Sequence, residues 1–185
     1  TIVRRNLKPI EDAVVTVGDI NGGTVGNIIP DKISMKLTVR TFKEEVRQLV
    51  HHRIKEICKG AAMGAGLPKE KWPKVNIPEE FTPANYNDPI LTEKLIASAQ
   101  NALGNENVIP TDPIMGGEDF ALYGNTEHGV PTAMFWLGTV TKEKLDGGDL
   151  PGLHSPFYHP EAAPTIQTGV TVTTNMLLDL FNTKN

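Results

Sequence analysis

Two short segments contain residue types that could carry out catalysis. Residues 153–157, Leu-His-Ser-Pro-Phe, place His154 in a proline-containing loop. A neutral imidazole can ligate a divalent metal ion, and Pro156 favours an extended backbone at the residue before it, which stiffens the loop. The alternative is a structural loop histidine bonded to a nearby carbonyl. Spacing alone favours that alternative, because His159 does not lie at the four-residue spacing that puts two rings on one helical face.

The second segment, residues 115–120, reads Met-Gly-Gly-Glu-Asp-Phe. Its two carboxylates could do acid–base work or bind metal, but complementing the dipole of a helix start is the favoured interpretation. Gly116 and Gly117 could let a ligand approach the backbone or could adopt positive φ. The glycine, lysine and hydroxyl residues of a phosphate-binding loop do not follow, so nucleotide binding is excluded. Ser155 has no Gly-x-Ser-x-Gly context, so serine hydrolase chemistry has no support.

Two further polar residues precede these segments. Arg40 falls on the polar face of an alternating strand, where it could clamp a carboxylate through two parallel hydrogen bonds or simply be solvated. Asn27, in a glycine-flanked loop, could donate to a carbonyl or only shape its turn. Cys58 lies on the apolar stripe of a helix and is interpreted as a core thiol.

Composition narrows the class of protein. The chain has 185 residues, 39% of them hydrophobic, and a formal net charge of −4. The hydrophobic content is ordinary for a globular protein, and the negative net charge argues against nucleic acid as a partner. The sequence contains no apolar run long enough to span a membrane. A single cysteine excludes an intrachain disulfide and does not distinguish a cytoplasmic from an exported protein.

Hydrophobic periodicity in the first half predicts a small α+β sandwich. The chain opens on what reads as the last turn of a helix, so we expect sequence, and with it any export signal, to have been lost upstream. A strand, a second strand with one core-facing side, a helix and a third strand follow at residues 13–20, 33–42, 43–60 and 75–81.

The second half mixes helices with buried strands. Asp88 as N-cap and Pro89 as first helical residue predict a helix ending near Leu103. Short strands are predicted at residues 107–109 and 131–139, and a short helix at 118–123. Residues 161–181 keep helical spacing, with an extended segment at 170–174 as the alternative. The residues at this helical spacing are Ile166, Val170, Thr173, Leu177 and Leu180, and tertiary contacts are expected to hold the helix because threonine and valine are poor helix formers.

The ordered motifs of the chain resemble the aminoacylase and glutamate-carboxypeptidase-like family of metallopeptidases. The amidohydrolase branch, with hippurate hydrolase, N-acyl-amino-acid amidohydrolase and auxin-conjugate hydrolases, is the most similar. The motifs are Gly-Gly at 22–23, Gly-Asn-Ile-Ile-Pro at 26–30, Thr-Val-Arg-Thr-Phe at 38–42, Asn-Asp-Pro at 87–89, Gly-Gly-Glu-Asp-Phe at 116–120 and Leu-His-Ser-Pro at 153–156.

The resemblance implies an α/β and α+β architecture. Residues 1–83 would form most of a ferredoxin-like lid that mediates homodimerisation, and residues 84–185 the C-terminal part of a zinc-peptidase-like α/β catalytic domain. His154 then matches a metal ligand, in a site for two divalent ions such as zinc or manganese. Asn27, Arg40, Gly116 and Gly117 match residues that approach the substrate.

We therefore expect the parent protein to be a metal-dependent hydrolase of N-acyl amino acids or small peptides. Its other metal ligands and its general base are expected upstream of this chain, so the chain alone is expected to be inactive. The alternative is a non-catalytic dimerisation or small-ligand-binding module derived from the same family. Neither nucleic acid nor a membrane is expected as a partner.

Overall fold

The computed structural model describes residues 2–148 and 150–182, which divide into two compact units. The first unit comprises the described residues up to Asn85 together with Pro113–Glu127. The second comprises Tyr86–Asp112 and the described residues from His128 onward. The described residues contain one sheet, which has two strands.

The sheet of the first unit is an antiparallel pair of β1 (Ala13–Asn21) and β2 (Ser34–Thr41). Both predicted strands are thereby confirmed. Val17 pairs with Leu37, the register then shifts, and Ile20 pairs with Met35. A one-residue bulge in β1 accounts for this shift. Because of the bulge, Val17 and Ile20 lie on the same face although they are three residues apart.

That apolar face is covered at only one end. Val15 and Val39 are half-buried near the end of the sheet where α1 (Ile2–Asn6) and α2 (Glu44–Gly64) pack against the strands. The other end is exposed, and the expectation that the whole face meets a core is wrong for this part of it. The exposed side chains, with their exposed fractions, are Val17 (47%), Ile20 (67%), Met35 (52%) and Leu37 (40%).

Helix α2 extends four residues beyond its predicted end. Val46 and Val50 lie four residues apart on one side of the helix, and both are buried. In its first turn Glu44 accepts hydrogen bonds from Nε and Nη2 of Arg47 at 2.7 and 2.6 Å, and these hold the pKa of the Glu44 carboxyl below its ordinary value. The Arg47 guanidinium also lies 3.6 Å from the centre of the Phe81 ring.

The strand predicted at residues 75–81 is wrong. These residues follow a single 3-10 turn, Lys69–Lys71, and they pair with no strand among the described residues. The contact of Phe81 with Arg47 fixes the end of the segment through a side chain, and Pro78 has no N–H to donate to a ladder.

The core of the second unit lies between α3 (Pro89–Leu103) and α6 (Ala162–Asn182). Asp88 accepts a hydrogen bond from the Leu91 N–H at 2.8 Å, which confirms the predicted N-cap and the position of Pro89. The buried core residues are Ala99, Val172 and Met176, against which Leu95, Leu103 and Val108 pack.

Helix α6 is confirmed and the extended alternative at residues 170–174 is wrong, but the residues noted at helical spacing are not those that the structure buries. Ile166 and Val170 are 64% and 61% exposed, whereas Val172 and Met176 are buried. The helix is apolar on more than one side, so spacing alone does not identify the buried side.

The strands predicted at residues 107–109 and 131–139 are also wrong. A single 3-10 turn, Asn105–Asn107, occupies part of the first. In the second, the Asn87 side chain donates to the Met134 carbonyl at 2.8 Å and accepts from the Met134 N–H at 2.9 Å, so a side chain takes the bonds of a neighbouring strand. Phe135 and Trp136 are about half exposed, at 47% and 49%, rather than doubly covered.

Two short helices complete the described residues. The helix predicted at residues 118–123 is shorter and later than expected, as α4 (Ala121–Gly124). The other is α5 (Lys142–Asp146). Thr141 is its N-cap, and the Thr141 hydroxyl accepts a hydrogen bond from the Lys144 N–H at 3.4 Å. Within residues 2–148 and 150–182, no helix combines the length and apolar character needed to cross a membrane.

Candidate active site

His154 lies in a pair of consecutive turns between α5 and α6. The Ser155 N–H donates to the Gly152 carbonyl at 2.9 Å, and the Tyr158 N–H donates to the Ser155 carbonyl at 3.0 Å. The Ser155 hydroxyl accepts from the Phe157 N–H at 3.1 Å. Three hydrogen bonds at Ser155 therefore hold the backbone beside His154, as expected for a stiff loop.

The imidazole of His154 is exposed at the surface of the second unit. Among the described residues it forms no hydrogen bond or ion pair. The structural alternative, a histidine bonded to a nearby carbonyl, is therefore not what the structure contains. An exposed ring with both nitrogens available is free to act as a ligand.

The far end of the His154 loop is tied to Thr139. The Tyr158 phenol and the Thr139 hydroxyl lie 2.7 Å apart, and the Thr139 carbonyl accepts from the Glu161 N–H at 2.7 Å. Glu161 also accepts a hydrogen bond from Lys144, which keeps the pKa of the Glu161 carboxyl below its ordinary value. Neither Tyr158 nor Thr139 was predicted from the sequence as a site residue, and the only available signal was that Tyr158 follows His154 by four residues.

In the first unit, the structure brings Arg40 to the double glycine. The Arg40 guanidinium donates through Nη1 to the carbonyl of Met115, the residue before Gly116. Arg40 is exposed and shares a face of β2 with Lys36 and Thr38, as the alternation predicts. Three of the predicted substrate-contacting residues, Arg40, Gly116 and Gly117, are thus near one another.

Gly116 and Gly117 do not have positive φ, so that part of the expectation is wrong. A Cβ at Gly116 would come within 3.3 Å of Ile114 Cδ1, while one at Gly117 would make only ordinary contact, 3.8 Å, with Thr82 Cγ2. Both glycines are exposed. What remains is an exposed backbone without side chains of its own, bordered at Gly116 by the side chain of Ile114.

Asn27 and the two carboxylates lie apart from this contact. Asn27 is exposed in the loop between β1 and β2, and among the described residues its amide bonds to none of the other predicted site residues. Neither Glu118 nor Asp119 caps α4 through its side chain, so the capping role expected for them is not seen. Their backbone carbonyls accept from the Ala121 and Leu122 N–H groups instead.

Metal binding requires more ligands than this arrangement supplies. Within the described parts of the chain, no three histidine, cysteine, aspartate or glutamate side chains are grouped closely enough to hold an ion. A hydrolytic zinc site takes three protein ligands. His154 therefore fits as one ligand by its chemistry and exposure, and the described residues do not form a complete metal centre.

The sequence matches proteins that deacetylate small molecules. Residues 7–179 match the family model described as peptidase family M20/M25/M40. The chain is 34% identical to the N-acetyldiaminopimelate deacetylase of Streptococcus suis, an alignment covering 87% of the chain and 39% of that protein. It is 35% identical to the N-acetylcysteine deacetylase of Bacillus subtilis, covering 78% of the chain and 35% of that protein. The chain thus spans less than half the length of these relatives.

Solved structures share the fold over a similar part of their length. The YXEP protein of Bacillus subtilis, described as a dinuclear metal binding peptidase from the M20 family, superposes with a TM-score of 0.61 at 26% identity, covering 91% of this chain and 42% of that one. A protein assigned as an aminohydrolase from methicillin-resistant Staphylococcus aureus gives a TM-score of 0.73 at 23% identity, covering 97% and 43%. The predicted mixed α/β class and the predicted metallopeptidase relationship are confirmed. The chain belongs to peptidase family M20/M25/M40.

Proposed function

We propose that this chain is the C-terminal part of a metal-dependent amidohydrolase that removes the acyl group from an N-acyl amino acid or a small peptide. The observation that carries the proposal is the exposed imidazole of His154, which has no partner among the described residues. Relatives named as N-acetyl amino acid deacetylases support the substrate class. The description of a related structure as a dinuclear metal binding peptidase supports two divalent ions, such as zinc or manganese.

In this proposal one ring nitrogen of His154 ligates a metal ion, and the other ligands and the general base lie outside this chain. A bound divalent ion would supply Lewis-acid polarisation of the amide carbonyl. The consecutive turns at Ser155 limit how far the imidazole moves, which favours ligation because less conformational freedom is lost on binding.

The residues proposed to contact the substrate belong to the first unit. Arg40 has the donors for two-point binding of the amino acid carboxylate, and it currently gives one of them to the Met115 carbonyl. Gly116 and Gly117 are exposed, and their backbone is the proposed surface for the substrate next to that guanidinium. The Asn27 amide is the proposed donor to the scissile carbonyl oxygen as negative charge develops on it.

Residues 1–185 alone are expected to show no hydrolysis of N-acetyl amino acids with added zinc or manganese, because the described residues supply no complete metal centre. Release of free amino acid, followed with an amine-reactive fluorophore, provides the measurement. Adding the N-terminal part of a related deacetylase serves as the positive control. Turnover by the chain alone that is lost in His154→Ala would show that this interpretation is wrong.

A second candidate function is association through the first unit, including homodimerisation. It is favoured by the exposed end of the apolar sheet face, where Ile20 and Met35 are more than half exposed. We expect sedimentation velocity of the chain to show a monomer–dimer equilibrium at micromolar concentration, weakened by Met35→Lys and unaffected by Lys36→Met on the opposite face. A monomer at every concentration would contradict this second candidate.

A further inference from the structure

Among the described residues, the Tyr158 side chain joins the His154 loop to Thr139 through a hydrogen bond. Its phenol oxygen lies 2.7 Å from the Thr139 hydroxyl, in a partly buried contact. The other hydrogen bonds of the loop, at Ser155, join residues within the loop itself. They shape the turns but do not fix where the turns lie relative to α6.

Thr139 holds the loop at two points. Its hydroxyl meets Tyr158, and its carbonyl accepts from the N–H of Glu161, directly before α6. Only two residues, His159 and Pro160, separate Tyr158 from Glu161, so this backbone has little freedom while both bonds persist. If the Tyr158 bond is lost, the Glu161 bond still anchors the start of α6, but the turns that present His154 are released.

We propose that Tyr158 and Thr139 form a positioning pair for the imidazole of His154. This inference rests on the proposed function, in which His154 ligates a metal ion. Neither residue of the pair touches substrate or metal in this proposal. Outer partners of metal ligands typically change metal affinity by about 10- to 100-fold when they are removed, and we expect an effect of that size here.

The first test uses the 185-residue chain without metal. We expect the backbone ¹⁵N order parameter of His154 to be near about 0.85, the value of a rigid backbone, and to fall toward about 0.6 in Tyr158→Phe. Thr139→Val should reproduce this change, and Thr139→Ser, which keeps the hydroxyl, should restore the original value. Tyr86→Phe is the matched control, because the Tyr86 side chain is 72% exposed.

The second test uses the complete protein, with zinc affinity measured by competition against a chelator. Tyr158→Phe should weaken zinc binding by about 10- to 100-fold while Tyr86→Phe leaves it unchanged. A purely structural role would lower the unfolding midpoint without changing the order parameter of His154. That result, or unchanged zinc affinity in Tyr158→Phe, would overturn the inference.

The two tests fail separately. If the unmodified complete protein binds no divalent metal, the proposed function fails, whereas the order parameter of His154 still decides whether Tyr158 positions the loop. If zinc binds normally and Tyr158→Phe changes neither readout, only the positioning role is wrong.

Discussion

Replacing His154 with alanine is expected to lower kcat/KM of the complete enzyme for N-acetyl amino acids by about a thousandfold, or roughly 4 kcal/mol of transition-state stabilisation. The physical reason is that the substitution removes the proposed metal ligand, whose ring has no partner among the described residues, so little else in the second unit should change. Steady-state kinetics and metal content, measured on the same preparation, give the two readouts. Metal content should fall together with activity.

The matched control is His159→Ala. His159 is also exposed and lies in the same connection between α5 and α6, but it has no proposed role in ligation. Its substitution should leave kcat/KM and metal content within about twofold of the unmodified enzyme, as for most surface substitutions. Equal losses in both variants would mean that the loop as a whole, rather than the imidazole of His154, matters.

The second large effect is expected at Arg40. Arg40→Met should raise KM for N-acetyl amino acids by about 10- to 100-fold with little change in kcat, because a hydrogen bond to a charged group contributes about 1.5–3 kcal/mol. Arg40→Lys should recover only part of the loss, since an ammonium keeps the charge but not the planar pair of donors. Initial rates over a range of substrate concentrations separate KM from kcat.

Lys36→Met is the control for Arg40. Lys36 lies on the same face of β2 as Arg40, its side chain is 83% exposed, and its Nζ lies 3.7 Å from Oδ2 of Asp19. The substitution therefore removes a cation from the strand but leaves the bond from Arg40 to Met115 in place. A substrate whose carboxylate is replaced by an amide provides the chemical control, because Arg40→Met should then change KM little. An equal increase in KM for both substrates would contradict carboxylate binding by Arg40.

Local signals in the sequence predicted the elements whose bonds are local. The N-cap at Asp88 and the first helical position of Pro89 required only neighbouring residues, and both are confirmed. The alternation of β2 likewise depends on the period of a strand, and it correctly placed Arg40 on the polar face. Helix α6 forms although it contains several threonines and valines, which are poor helix formers, because its packing against α3 stabilises it.

Predictions that depended on distant partners were less successful. Residues 131–139 have the apolar run of a covered strand, yet a strand needs a ladder, and the Met134 backbone bonds to the side chain of Asn87 instead. In α6 the helical spacing of Ile166 and Val170 did not identify the buried side, because Val172 and Met176 form the core with α3. Nothing in a single sequence distinguishes two apolar faces of one helix.

The same division applies to the candidate site. The loop at His154 follows from the neighbouring Pro156, and the structure contains a loop there. The bond from Arg40 to Met115 joins residues 75 positions apart, and that from Tyr158 to Thr139 joins residues 19 apart. Neither has a periodic or motif signal, so only the folded chain reveals them.

The most direct measurement is anomalous diffraction from crystals of the complete protein grown with zinc. Ligation by His154 predicts an anomalous peak about 2.0–2.1 Å from one nitrogen of its imidazole, the usual zinc–nitrogen distance. Occupied zinc sites with the His154 ring far from every metal ion would contradict the central claim.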